Sequence, residues 1–114
     1  MITYQTGNIL HDQADAIINT VNTVGVMGKG LALQFKKAFP GNFNVYKKAC
    51  DDKSLVTGQV LSVSLNSINA PYYVINFPTK AHWKGKSKLE YIEQGLESLK
   101  VEVKRLELKS VAIP

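Results

Sequence analysis

Two stretches of this sequence hold residues whose types and spacing could do chemistry. The first is Asn19-Thr20-Val21-Asn22-Thr23-Val24-Gly25-Val26-Met27-Gly28-Lys29-Gly30-Leu31-Ala32. It reads as the end of a buried strand, a glycine-rich turn, and the start of a helix. Gly25, Gly28 and Gly30 admit positive φ and close backbone approach. Such a turn leaves N–H groups facing outward and the helix dipole adds partial positive charge, which together suit an anion, most often phosphate. The spacing matches neither the P-loop nor the dinucleotide-fold fingerprint. The same glycines would also serve a plain strand-to-helix connection. The amides of Asn19 and Asn22, just ahead of the turn, suit sugar hydroxyls. The second stretch is Asn76-Phe77-Pro78-Thr79-Lys80, which runs into a basic loop over residues 79–86 with one aromatic, Trp83.

The elements that must position these residues fit one domain of 114 residues, and 45% apolar residues provide a core and argue against disorder. Cys50 is the only cysteine, so no intramolecular disulfide is available, and its place on an apolar helical face reads as a buried thiol. Two histidines and one cysteine offer no visible metal cluster. Met1-Ile2-Thr3-Tyr4 lacks the basic-then-apolar pattern of a signal peptide. No stretch approaches membrane-spanning length, so the expectation is a cytoplasmic protein without membrane contact. The net charge of +5 comes from 14 Lys+Arg against 9 Asp+Glu, with Arg105 the single arginine. That excess describes a solvated surface, and it is equally compatible with a phosphate-rich partner such as a nucleotide or nucleic acid.

In chain order, Ile2–Gln5 reads as a short strand closed by the turn Thr6-Gly7-Asn8. Residues 14–20 contain Ala16-Ile17-Ile18, the pattern of a strand buried on both faces. After the glycine turn, Leu31, Phe35, Ala38 and Phe39 share one helical face, and Pro40-Gly41 is expected to stop that helix. A second helix is expected over residues 42–51, with Phe43, Tyr46 and Cys50 on one side. Residues 59–65 alternate as a half-buried strand, and Tyr72–Phe77 reads as a strand ending at Pro78. Ser87-Lys88-Leu89-Glu90 reads as a capping box opening a long helix. Its stripe is Leu89, Ile92, Leu96, Leu99, Val103 and Leu106, with Lys109-Ser110 closing it. Val111-Ala112-Ile113 begins another buried strand. Alternating strands and helices place the chain in the α/β class, with no internal repeat and no domain boundary.

Taken together, Thr6-Gly7-Asn8-Ile9, Asn19-Thr20-Val21-Asn22, the segment from Val24 to Gly30, Phe39-Pro40 and Asn76-Phe77-Pro78-Thr79-Lys80 with His82-Trp83 resemble the macro domain family over the whole chain. Within that family the resemblance is to the DNA ADP-ribosyl glycohydrolases, antitoxins to DNA-modifying toxins. It implies a three-layer α/β/α fold with a mixed, mostly parallel sheet. It also implies ADP-ribose binding at the carboxyl ends of the strands, where open α/β sheets bind ligands. By that resemblance Asn8 and Ile9 face the adenine, and Thr20, Val21 and Asn22 line the distal ribose. Met27, Gly28, Lys29, Gly30, Leu31, Ala32, Leu33 and Gln34 wrap the diphosphate, and Thr79 joins the ligand contacts. Many macro domains carry an acid at the Asn8 position; here an amide oxygen or the backbone would meet the adenine amino group. Asn8 and Asn22 are also ordinary turn or cap residues.

The resemblance further implies that Lys80 is the reactive residue, with Asn22 orienting the ribose, in removing ADP-ribose from thymidine in DNA. A neutral amine is a good nucleophile toward an opened ribose aldehyde and can form a Schiff base. Its neutral form near pH 7 requires burial or nearby cations, for which Lys29, Lys84 and Lys86 are available. The lysine could instead only polarise the ribose or move a proton, and no glycosidase-type carboxylate pair is visible. His82, Trp83 and Lys84, with Lys86 and Lys88, form a patch suited to stacking a base and meeting phosphates of single-stranded DNA. The same patch is equally an indole packed under a solvated loop. No metal or diffusible cofactor is implied. The family pattern continues past a strand like Val111–Pro114 into a second glycine-rich loop, a helix and a strand, so the expected fold is an incomplete macro domain over residues 1–114, lacking its last helix and strand. Self-association through the incomplete sheet follows as an expectation. Beside the glycohydrolase stand two alternatives: a non-catalytic ADP-ribose-binding module, and an inactive self-associating fragment. A cognate toxin is the other implied partner.

Overall fold

The computed structural model describes residues 2–3, 9–11, 13–81 and 88–114, with only the backbone described for Ile2, Thr3 and His11. Strands β1 (Ile2–Thr3), β2 (Ala16–Asn22), β3 (Leu61–Ser64), β4 (Tyr73–Lys80) and β5 (Val111–Ala112) form one sheet in the order β1-β5-β2-β4-β3. The β1–β5, β5–β2 and β2–β4 pairings are parallel, and only β3 runs antiparallel, against β4. Helices α1 (Gly30–Ala38), α2 (Pro40–Asp51) and α3 (Leu89–Arg105) cover the two faces. This is the mixed, mostly parallel α/β/α sheet that the family resemblance implies.

The strand alternation of β2 and β4 decides which layer each side chain joins. Ala16, Ile18, Ile75 and Phe77 pack with Leu99 of α3. Ile17 and Val74 pack with Phe35 of α1, and Val21 packs with Tyr46 and Cys50 of α2. The β2–β4 register runs Ile17↔Val74, Ile18↔Ile75 and Asn19↔Asn76, then shifts between Val21 and Asn22 so that Asn22 meets Lys80.

Several boundaries differ from the sequence expectation. Helix α1 does stop ahead of Pro40, at Ala38, but α2 starts at Pro40 rather than Asn42, with the proline in its first turn, where the missing N–H has no intrahelical partner to lose. Only Phe39 separates α1 from α2. Ala38, expected on the buried face of α1, is exposed. Pro78 does not end β4, which continues through Thr79 and Lys80. The β3 ladder stops at Asn76, so Pro78 lies where β4 has a neighbour on the β2 side alone, and a proline is tolerated there. Helix α3 opens at Leu89 with Lys88 at the N-cap and no side-chain cap, and it ends at Arg105. Ser87 of the expected capping box lies outside the described residues.

The stripe of α3 is also corrected. Leu89 and Leu96 face solvent, while Gly95 and Leu99 are buried and Ile92 and Val103 pack beside them. A Cβ built at Gly95 would overlap the Phe77 ring. The helix therefore crosses the sheet at Gly95 at a distance that a side chain would forbid.

Candidate functional site

Parallel pairing brings the C-terminal ends of β2 and β4 to the same end of the sheet. A cleft of about 620 Å³ opens there, within the range of small-molecule sites. Strand β2 supplies Thr20, Val21 and Asn22, and β4 supplies Thr79 and Lys80. The glycine loop contributes Val26, Gly28 and Lys29, and α1 contributes Ala32. Thr23 fixes the two strand ends together. Its N–H donates to the Lys80 carbonyl at 3.1 Å and its hydroxyl donates to the Ala81 carbonyl at 3.1 Å.

The loop has a built interior. Asn22 is 8% exposed, and its side chain spans the turn. Its Oδ1 accepts from the N–H groups of Val24 (3.1 Å) and Val26 (3.3 Å), and its Nδ2 donates to the Val26 carbonyl at 2.9 Å. The Tyr46 hydroxyl on α2 lies 2.8 Å from Asn22 Oδ1. Gly25 (φ +88°) is buried against Lys47 and Cys50 of the same helix, and Gly30 (φ +55°) turns the chain into α1. The first N–H groups of α1 have no acceptor within the helix, and of that first turn Ala32 lines the cleft, which leaves free donors and the positive end of a dipole at its edge. Burial and the neighbouring Cys50 thiol push the Tyr46 phenol well above the ordinary tyrosine range, while the N–H groups of Gly25 and Val26 oppose this. Burial likewise raises the Cys50 thiol, with Tyr46 and the Gly25 N–H opposing.

Other residues of the glycine stretch point elsewhere. Asn19, expected to face sugar hydroxyls, is 1% exposed. Alternation along β2 turns it toward α2, where its Nδ2 donates to Asn76 Oδ1 (3.3 Å) and approaches Met27 Sδ (3.8 Å). Asn76 in turn exchanges hydrogen bonds with Asn42 at 2.8 and 3.2 Å. Met27 is buried beneath the loop beside Val21 and Tyr46. Ile9 and Leu31 pack against the Phe35 cluster, Leu33 is half-buried, and Gln34 and Gly30 are exposed; none of them lines the cleft. Of residues 27–34, only Gly28, Lys29 and Ala32 do, because a helical turn shows one side to a groove. Asn8, His82, Trp83 and Lys84 lie outside the described residues.

Sequence reasoning missed Val26, Thr23 and Tyr46. Tyr46 carried only the signal of an apolar helical position. Among the described residues, the ionisable groups lining the cleft are two lysines, Lys80 half-buried and Lys29 exposed, with no carboxylate. Among the described residues no group of three or more His, Cys, Asp or Glu comes together as a metal site, and no helix is long and apolar enough to cross a membrane.

A mixed α/β/α sheet here carries a glycine-loop cleft at the ends of its central strands, and the chain belongs to the Macro domain family, whose model matches residues 18–114. Its sequence is 45% identical over all 114 residues to a DNA ADP-ribosyl glycohydrolase of Thermus aquaticus, and it spans 32% of that protein, about a third of its length. Among solved structures it is similar to the macrodomain of Mycobacterium tuberculosis DarG. The TM-score is 0.96 at 46% identity, covering 100% of this chain and 75% of that one. It is also similar to Thermosipho africanus DarTG in complex with ADP-ribose, with a TM-score of 0.90 at 34% identity, covering 99% of this chain and 32% of that one.

Proposed function

We propose that this chain is an ADP-ribosyl glycohydrolase that removes ADP-ribose from thymidine-linked adducts on DNA. The observation that carries this reading is the sharing of one cleft by Lys80 and the glycine loop, in a chain similar to DNA ADP-ribosyl glycohydrolases. The loop and the first turn of α1 would hold the diphosphate through backbone N–H groups. Thr20, Val21 and Thr79 would face the distal ribose. Asn22, its oxygen already committed to the loop, would orient the ribose by holding that loop in shape. Lys80 would act through Nζ. Nζ adds to the anomeric carbon as the bond from that carbon to the base nitrogen breaks, and the base leaves with a proton from Nζ. The bond from the anomeric carbon to the ring oxygen then breaks, the ring oxygen taking the remaining Nζ proton, which opens the ribose as a Schiff base. Water hydrolyses the Schiff base, releasing ADP-ribose and returning the lysine.

The biological partners follow from the same reading: ADP-ribosylated single-stranded DNA as substrate, and a DNA ADP-ribosyltransferase toxin whose product this chain would erase in the cytoplasm. The relative from Thermosipho africanus, named as a fusion of DNA ADP-ribosyl transferase and DNA ADP-ribosyl glycohydrolase, supports the pairing. The net charge of +5 suits a nucleic-acid substrate.

The test is release of ADP-ribose from a single-stranded oligonucleotide ADP-ribosylated on thymidine, read beside calorimetric titration of free ADP-ribose, for the native chain and Lys80→Ala. Loss of turnover with binding retained is expected. Turnover by Lys80→Ala at the native rate would remove Lys80 from the mechanism. Binding without turnover by the native chain would favour a non-catalytic ADP-ribose module, a reading that the ADP-ribose complex of the Thermosipho africanus protein also suits.

A further inference from the structure

We infer that Tyr46 is a positioning residue for the ligand loop: its hydroxyl, reaching from α2, locks the Asn22 side chain that staples residues 22–26. The inference rests on reading this cleft as an ADP-ribose site, because the staple leads directly into the residues proposed to hold the diphosphate.

Tyr46 is fully buried, with 0% exposure, and its ring already packs with Val21, Met27 and Leu55. A phenylalanine would fill the same space, so packing does not account for the hydroxyl. The hydroxyl oxygen lies 2.8 Å from Asn22 Oδ1 and 2.9 Å from the Asn22 backbone carbonyl. It has one proton to donate, and both acceptors belong to the same residue. Asn22 Oδ1 also receives the N–H groups of Val24 and Val26, which fixes which way round the amide sits. Thr23 ties this turn to β4 through the Lys80 and Ala81 carbonyls. Tyr46 ties it to α2, on the same helical face where Lys47 and Cys50 form the seat of Gly25. The loop is therefore held from two sides before any ligand arrives. Without the hydroxyl, the Asn22 amide loses its tether to α2 and the turn gains freedom that a ligand must remove on binding.

The experiment compares the native chain with Tyr46→Phe, Asn22→Ala and the double variant. It uses amide hydrogen exchange by NMR, ADP-ribose calorimetry and turnover on the modified oligonucleotide. In Tyr46→Phe the Val24 and Val26 amides should exchange about tenfold faster or more while Ile17 and Ile18 of β2 keep their protection. ADP-ribose affinity should fall about three- to tenfold, the range of one neutral hydrogen bond. KM should rise by the same factor with kcat retained, the signature of lost uniform binding. Tyr46→Phe should cost less in the Asn22→Ala background than in the native one, since the side-chain contact is then already lost while the bond to the backbone carbonyl of residue 22 remains to be removed. Native protection of Val24 and Val26 in Tyr46→Phe would overturn the inference. So would acceleration of every amide alike, which means a merely structural role. Unchanged affinity in Tyr46→Phe beside a native chain that binds would do the same. If the native chain binds no ADP-ribose, the reading of the cleft fails while the exchange data still decide the staple. Should Tyr46→Phe not fold, unchanged exchange at Val24 and Val26 in Asn22→Ala would remove the staple, and with it the lock.

Discussion

Asn22 and Lys80 are paired across β2 and β4, immediately after the shift in register between Val21 and Asn22. One residue shapes the glycine loop and the other carries the amine, and the parallel pairing brings both to a single cleft. The loop between them is anchored by Thr23 on the Lys80 carbonyl, so any change in the end of β4 is felt by the loop.

This pairing separates two roles for Lys80. If Nζ is the nucleophile, Lys80→Arg should lose turnover as completely as Lys80→Ala, by about a hundredfold or more, because a guanidinium keeps its charge and cannot add to the sugar. If the positive charge alone matters, arginine should retain most of the rate. Single-turnover release of ADP-ribose from the modified oligonucleotide distinguishes them.

Gly95 lies under α3 against the Phe77 ring, where an added Cβ has no room. Gly95→Ala should destabilise the fold by about 1–3 kcal/mol through overpacking, despite alanine's better helix propensity. Urea unfolding followed by circular dichroism measures this. An exposed substitution on the same helix, Leu96→Ala, should change stability far less, since Leu96 is 47% exposed.

Asn76 joins Asn19 of β2 and Asn42 of α2 in one buried amide network. Replacing Asn76 by leucine removes the partner of both amides and strands buried donors and an acceptor. The expected loss is about 2–4 kcal/mol, above that of an ordinary core substitution of similar size. The melting temperature of Asn76→Leu against Val74→Leu, a substitution in the same strand, checks the difference.

Glu102 on α3 is held below the ordinary glutamate range, first by its hydrogen bonds with Arg105 and then by Ser62 of β3, with partial burial opposing. A carboxylate whose folded pKa is depressed contributes stability that is present above its unfolded pKa, about 4.3, and is lost as pH falls through the folded value. The melting temperature should therefore decline below about pH 4.3. Glu102→Gln should flatten part of that decline while leaving the exposed Asp52, lowered by Ser54, to contribute its own.

The sequence by itself determined the α/β class, the glycine turn between β2 and α1, and the presence of an Asn-rich turn and a Phe-Pro-Thr-Lys segment. These rest on local rules: glycine at positive φ in Gly25 and Gly30, runs of apolar residues in strands, and helical spacing. Tertiary structure decided which of those residues meet the cleft. Asn19 and Asn22 have the same chemistry and lie three apart, yet alternation along β2 and the register shift bury one in the core and set the other across the turn. Met27 and Gly28 are neighbours, and only Gly28 lines the cleft. Tyr46, Thr23 and Gly95 took their roles from partners in other elements: Tyr46 from Asn22, Thr23 from Lys80 and Gly95 from Phe77. Local preference has a range of a few residues, whereas these contacts exist only once the sheet has brought distant segments into register.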